Sequence, residues 1–126
     1  MNKSEKNPIQ PVADLLKEIS APARIKILLA IGREEVCVCH LEANLGMRQA
    51  YLSQHLMALR QAGILLTTRD GRFIHYRLAN PQILDVIQAV AHALDLALEP
   101  GLPDLSGTKC PCPKCQPDQK MPAPTG

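Results

Sequence analysis

Three aromatic side chains, Tyr51, Phe73 and Tyr76, are all that the sequence holds, and it has no tryptophan. Rings so few and so scattered give no platform on which unpaired bases stack, which counts against single-stranded nucleic acid as a partner. Long apolar runs are also lacking, since no stretch approaches the ~18 residues of a membrane-spanning helix and the first ten residues, MNKSEKNPIQ, are polar. No membrane partner is expected, and a cytoplasmic location is. A strong net charge is missing too: the formal value is +2, which by itself names no partner. What remains is a chain of 126 residues, 46% hydrophobic, with material for one core and not two. The composition divides it into a flexible N-terminus over 1–10, a folded domain over 11–99 and a proline- and cysteine-rich tail over 100–126.

The charge is small in sum but uneven along the chain. Residues 1–45 carry six basic and six acidic groups, residues 46–78 carry five arginines against one aspartate, and residues 79–126 carry three lysines against five acids. A local excess of +4 in the middle third suits a surface that meets phosphates, provided the elements gather those arginines on one side.

The apolar spacing predicts mostly helix. VADLLKEI places Val12, Leu15, Leu16 and Ile19 on one stripe, and the stripe stops before Ser20 and Pro22. SAPARIKILLAI reads as the next helix, with Ser20 as its cap and Pro22 in the first turn, where a missing N–H costs nothing. REEVCVCHLEANLG predicts a short helix with acids in its first turn, Val38, Leu41 and Leu45 on one face, and a close at Asn44 and Gly46. MRQAYLSQHLMALRQAG follows almost at once, with Leu52, Leu56 and Leu59 on one face and Gly63 as its stop. Beyond Gly63 the period changes: ILLTTRDGRFIHYRL predicts a β-hairpin broken at Asp-Gly, with a basic tip. NPQILDVIQAVAHALDLAL predicts a final helix over 80–98 that is apolar around most of its circumference and therefore needs a partner.

This order is that of a mainly α winged helix-turn-helix domain with a small β-hairpin and flanking dimerisation helices. Double-stranded DNA is the matching partner. The helix over 47–62 is the expected recognition helix, and opposite its leucines it presents Ala50, Ser53, Gln54 and Met57, flanked by Gln49, with Arg48 at its start. Small and amide side chains of that kind reach base edges. Arg69 and Arg72 flank the hairpin tip, where a wing meets phosphates or the minor groove.

The cysteines are the second signal. There are five, an odd number, and in a reducing compartment closely spaced thiols serve metals or redox chemistry more often than structural disulfides. Two of them, Cys37 and Cys39, lie in EVCVCHL. On a regular α-helix, side chains two residues apart point about 200° away from each other, so these two share an ion only if the helix start is distorted. The other three, Cys110, Cys112 and Cys115, lie in CPCPKC, within a tail that holds seven of the eleven prolines and is not expected to fold alone. Such a tail suits the completion of a sulfur shell begun by Cys37 and Cys39. A set of three or four thiolates favours Cd2+, Pb2+, Hg2+, As(III) or tightly held Zn2+ over hard cations.

EVCVCHL, LSQHLMALRQAGIL and RDGRFIHYRL together resemble the ArsR/SmtB family of metal-responsive repressors, over roughly residues 12–98. The first is similar to the family's thiol metal-binding segment, the second to its recognition helix and the third to its wing. The resemblance implies a homodimer that binds operator DNA when metal-free and releases it when a toxic metal or metalloid ion binds. Departures from the family pattern narrow this. Where arsenite sensors of the family often carry a third cysteine, this chain has Glu42, which leans the reading toward a divalent ion. At the positions of the family's zinc site it has Asn80, Gln82, Ala93 and Leu96, so that site is expected to be lost. His40 replaces the usual aspartate of the thiol motif, and His40 and Glu42 are the local alternatives for completing the ligand set.

No enzymatic activity is expected. A thiol-redox or persulfide-sensing repressor of the same fold is the alternative reading, and a CxxC oxidoreductase built on Cys112 and Cys115 a remote one, because such a pair normally opens a helix after a strand. Cys37 also has a structural reading as a buried thiol one turn before Leu41. His55 is expected to pack near the leucine face rather than read bases. His75 and His92 are expected to be ordinary side chains of the wing and the last helix.

Overall fold

The computed structural model describes residues 7–98, which form five helices and a three-stranded antiparallel sheet. Helix α1 (Ile9–Ile19) buries only Ile19 and leaves Ile9, Val12 and Leu16 exposed. Its end corrects the sequence reading. Ser20 does not cap the next helix; its hydroxyl donates to the Lys17 carbonyl at 3.1 Å and closes α1 instead. Helix α2 (Pro22–Ile31) starts from Ala21 with Pro22 at its first position, as expected of a residue whose ring presets the helical φ. It is the central element, burying Ala23, Ile27, Leu28, Ala30 and Ile31.

The next segment departs from the expected helix over its first residues. Val36 and Cys37 form a short strand, β1 (Val36–Cys37), and helix α3 (Val38–Leu45) begins only after it, with no acid in its first turn. Gly46 ends α3 at φ +66, a left-handed conformation that costs a residue without a Cβ little. Helix α4 (Gln49–Gln61) follows after three residues and buries Leu52, Leu56 and Leu59, the stripe expected from the sequence. Strands β2 (Leu65–Asp70) and β3 (Phe73–Leu78) form the hairpin in full register, with Asp70 opposite Phe73. The two-residue loop has Gly71 at φ +66 and no positive φ at Arg72, the II′ pattern that places glycine first. Helix α5 (Gln82–Ala93) is shorter than expected: Asp95 adopts φ +63, and the Leu96 N–H donates back to the Ala91 carbonyl at 2.8 Å, which closes the helix at Ala93.

The sheet order is β1-β3-β2, so β3 is central and pairs with β1 on its other side, Val36 opposite Tyr76 and Cys37 opposite His75. Leu28, Ile31, Leu41, Leu52, Leu56, Leu59, Leu65 and Leu84 are almost fully enclosed and weld α2, α3, α4, α5 and the base of the hairpin into one core. Removing one such leucine side chain costs about 2–5 kcal/mol.

One polar network spans the helices. Arg24 of α2 donates from Nη1 to the Glu18 carbonyl and carboxylate, both at 2.9 Å, and from Nε to Nδ1 of His55 on α4 at 3.0 Å. His55 is thus half-buried and bonded within the helices, as expected of a packed histidine. Its pKa is lowered from 6.5, first by burial and then by the Arg24 charge. A histidine with a depressed folded pKa stabilises the fold above the unfolded value and loses that contribution as pH falls. Thermal unfolding midpoints are therefore expected to drop as pH decreases below 6.5, and to drop less in His55→Gln. Equal pH dependence in the two proteins would show that the Arg24 bond does not hold a neutral imidazole.

Candidate metal centre and nucleic-acid interface

The two thiols of EVCVCHL come together because the helix does not start where the sequence suggested. Cys37 is the N-cap of α3 in extended conformation, φ −87 and ψ 160, while Cys39 lies in the first turn. The regular helical divergence of positions two apart therefore does not apply, and the two sulfurs stand 2.7 Å apart. That is longer than the ~2.05 Å of a disulfide and places both sulfurs at one point. Cys37 Sγ also accepts the His40 backbone N–H at 3.3 Å, taking the place usually held by a serine or aspartate oxygen. Glu42, one turn beyond Cys39, has a buried Oε2 without a hydrogen-bond partner among the described residues.

The β1 register explains what surrounds the thiols. Successive side chains of a strand point to opposite faces, and residues directly opposite in an antiparallel pair share a face. Val36 and Tyr76 lie on the face that packs against the main core, together with Leu78. Cys37 and His75 lie on the other face, as does Phe73, which packs against Cys37 in a small cluster that also holds Cys39. His75 departs from the sequence expectation of an ordinary wing residue. It is only 2% exposed, and its Nε2 has no hydrogen-bond partner among the described residues. The sequence signal lay in the alternation of Phe73 and His75, which became readable only with β1 as a third strand.

A close pair of soft sulfurs fits a thiophilic ion. Among the described residues no three His, Cys, Asp or Glu side chains already meet at one point, so a complete shell draws on more than these two thiols. Cys110, Cys112 and Cys115 lie outside the described residues, as does the boundary expected at 99.

The second surface is built on α4 and the hairpin. Arg48, the N-cap of α4, and Gln49, Ala50, Gln54 and Met57 are exposed on the side away from the leucines, with Ser53 half-buried between them. Tyr51, which the sequence reading weighed only as a possible stacking residue, is 49% exposed, edge-on to His55 at 4.7 Å, and lines a shallow cleft with Arg48, Ala50 and Gln54. Arg69 and Arg72 are both exposed at the hairpin tip, and the Arg72 guanidinium lies 5.6 Å from the centre of the Phe73 ring. Phe73 therefore stands between the thiol cluster and the wing tip. His92 is exposed on α5. Asn80 accepts the Gln82 N–H at 3.0 Å just ahead of α5, whose N-cap is Pro81, and none of Asn80, Gln82, Ala93 and Leu96 carries a charged or imidazole ligand. No helix among the described residues is long and apolar enough to cross a membrane.

Comparison with known proteins agrees with the fold. Residues 21–66 match the model of the bacterial regulatory protein, arsR family. The biofilm growth-associated repressor of Agrobacterium fabrum is 43% identical over 79 residues, covering 63% of this chain and 68% of that one. The HTH-type transcriptional repressor SmtB of Mycobacterium tuberculosis is 37% identical over 86 residues, covering 68% of this chain and 64% of its own length. Among solved structures, the transcriptional repressor BigR from Xylella fastidiosa superposes with a TM-score of 0.65 at 30% identity, over 78% of this chain and 99% of that one.

The thiol junction has a measurable structural role of its own. Cys37→Ala removes both the cap at the start of α3 and a buried side chain, and is expected to lower unfolding free energy by about 1 kcal/mol or more in urea titrations. Cys39→Ala, at a half-buried position, is expected to cost less. The reverse order would mean that Cys37 does not hold the junction.

Proposed function

Because the chain belongs to the ArsR/SmtB family of winged helix-turn-helix transcriptional repressors, we propose that it is a homodimer which holds operator DNA when metal-free and is released by a soft ion at Cys37 and Cys39. The observation that carries this reading is the placement of the two sulfurs. They sit at the one junction that continues directly into α3 of the helix-turn-helix on one side and is paired to the wing strand on the other. Cd2+, Pb2+, Zn2+, Hg2+ and As(III) are the ions that suit such donors. Cys110, Cys112 and Cys115 are proposed to complete the sulfur shell.

A second copy of the chain suits the apolar surface that α1 and α5 leave open. Val12, Leu16, Val90, Leu94 and Leu96 are exposed, and Leu16, Ile19, Ile25, Val90, Leu94 and Leu96 line one apolar groove between the two helices. Paired in this way, two α4 helices enter successive major grooves about 34 Å apart. Gln49, Ser53 and Gln54 read base edges, while Arg48, Arg69 and Arg72 meet the backbone. When Cys37 and Cys39 close on an ion, the start of α3 and the base of the wing move together, and the reading heads lose their match to the groove spacing. A coupling free energy of about 1–3 kcal/mol changes operator occupancy from several-fold to about a hundredfold.

Titrating the reduced, full-length protein with Cd2+, Pb2+, Zn2+ and As(III) is expected to raise ultraviolet thiolate-to-metal absorption in step with operator release. Cys37→Ser/Cys39→Ser is expected to bind operator within a few-fold of wild type and to abolish release. Release that needs an oxidant instead of an ion would assign the thiols to redox sensing. On the DNA side, Arg72→Ala is expected to weaken all sequences alike and to flatten the salt dependence, whereas Gln54→Ala loses about 1–3 kcal/mol on the preferred operator alone. Equal losses on random DNA for both variants would contradict the assigned reading face.

A further inference from the structure

His75 is the one buried imidazole among the described residues, and the thiol-sensing reading leaves it without a task. A buried nitrogen without a partner loses its bonds to water and gains nothing in return, which leaves it open to a ligand. Three observations say where that nitrogen belongs. Cys37 and His75 are directly opposite in the β1–β3 ladder, so their side chains leave the sheet on the same face with Cβ atoms about 4.5–5.5 Å apart. Phe73, two residues before His75 and so on that same face, packs against the Cys37 and Cys39 cluster. Both members of the facing pair are almost fully enclosed, Cys37 at 1% and His75 at 2% exposure.

We propose that His75 contributes Nε2 as a nitrogen ligand to the ion held by Cys37 and Cys39, an inference that rests on the thiol-sensing reading and deepens it. Imidazole nitrogen beside thiolates is a donor set that divalent borderline and soft ions accept readily, Zn(II) and Cd(II) among them, and one less suited to As(III) than three sulfurs. The described side chains do not yet converge as a finished cage, so the set closes by rotation of the His75 side chain, the ladder having already fixed the two Cα positions. The regulatory consequence is that the ion is fastened to the wing strand itself, not only to the start of α3.

The test uses reduced, full-length protein with 15N-labelled histidine and Cd(II) enriched in 113Cd as the probe. One equivalent of Cd(II) is expected to produce thiolate-to-metal absorption and, together with it, a shift and a 113Cd coupling at Nε2 of His75. His75→Ala is expected to keep the thiolate absorption while its Cd(II) affinity falls by roughly tenfold or more and its As(III) affinity changes less. The spectrum of the wild-type protein decides the matter even if that variant folds poorly. Thiolate absorption with unmoved His75 nitrogens would overturn the nitrogen ligand and leave the thiol sensor standing. Absence of thiolate absorption would overturn both.

Discussion

Two residue pairs, Val36 with Tyr76 and Cys37 with His75, join the start of the helix-turn-helix to the wing, and the functional layout of the molecule depends on them. A strand of two residues has little stability alone. It forms here because its two side chains are used on both faces of the sheet at once, Val36 and Tyr76 against the main core, Cys37 against Phe73. The ladder ends where α3 begins, and Cys37 serves both, as the last residue of the strand and as the cap of the helix. Anything that changes the bonding of Cys37 therefore acts on the strand pairing, the helix start and the packing of Phe73 together.

The core and the thiol cluster stay separate because the sheet keeps them on opposite sides. The leucines of α3 and α4 hold the recognition helix against α2, and the Arg24 bonds to Glu18 and His55 tie it further to the end of α1. Those contacts do not involve the thiols. The thiol face holds Cys37, Cys39, Phe73 and His75, with Arg72 of the wing tip over the Phe73 ring. Cys37 thus touches the wing through one aromatic ring and one strand, and continues directly into α3.

The helical stripes were legible in the sequence because they are set by periodicity alone: Leu52, Leu56 and Leu59 are buried as their spacing requires, and the Asp-Gly hairpin forms in full register. Contacts between distant segments were not. Val36 and Cys37 looked like the opening of a helix, since nothing local distinguishes a two-residue strand whose partner lies in the second arm of the hairpin. Ser20 carries the right chemistry for a cap, but its hydroxyl donates to the Lys17 carbonyl and α2 starts from Ala21. Leu94 and Leu96 continued the apolar pattern of the last helix past its end, where they are exposed and line the groove between α1 and α5. His75 was missed for the same reason as β1: its burial comes from the third strand. The exposure of Arg48, Gln49, Gln54, Arg69 and Arg72 was legible too, since it follows from the positions of the leucines and of the turn.

The central claim is that the thiol junction communicates with both reading elements through one ladder. Backbone hydrogen exchange of the reduced protein, compared before and after one equivalent of Cd(II), tests it most directly, because it reports each element separately. The account predicts changed protection in β1, in β3 from Phe73 to Tyr76 and in the first turn of α3, with the amides of the α2 core unchanged. Changes confined to α3, with β3 exchanging at its metal-free rate, would contradict it.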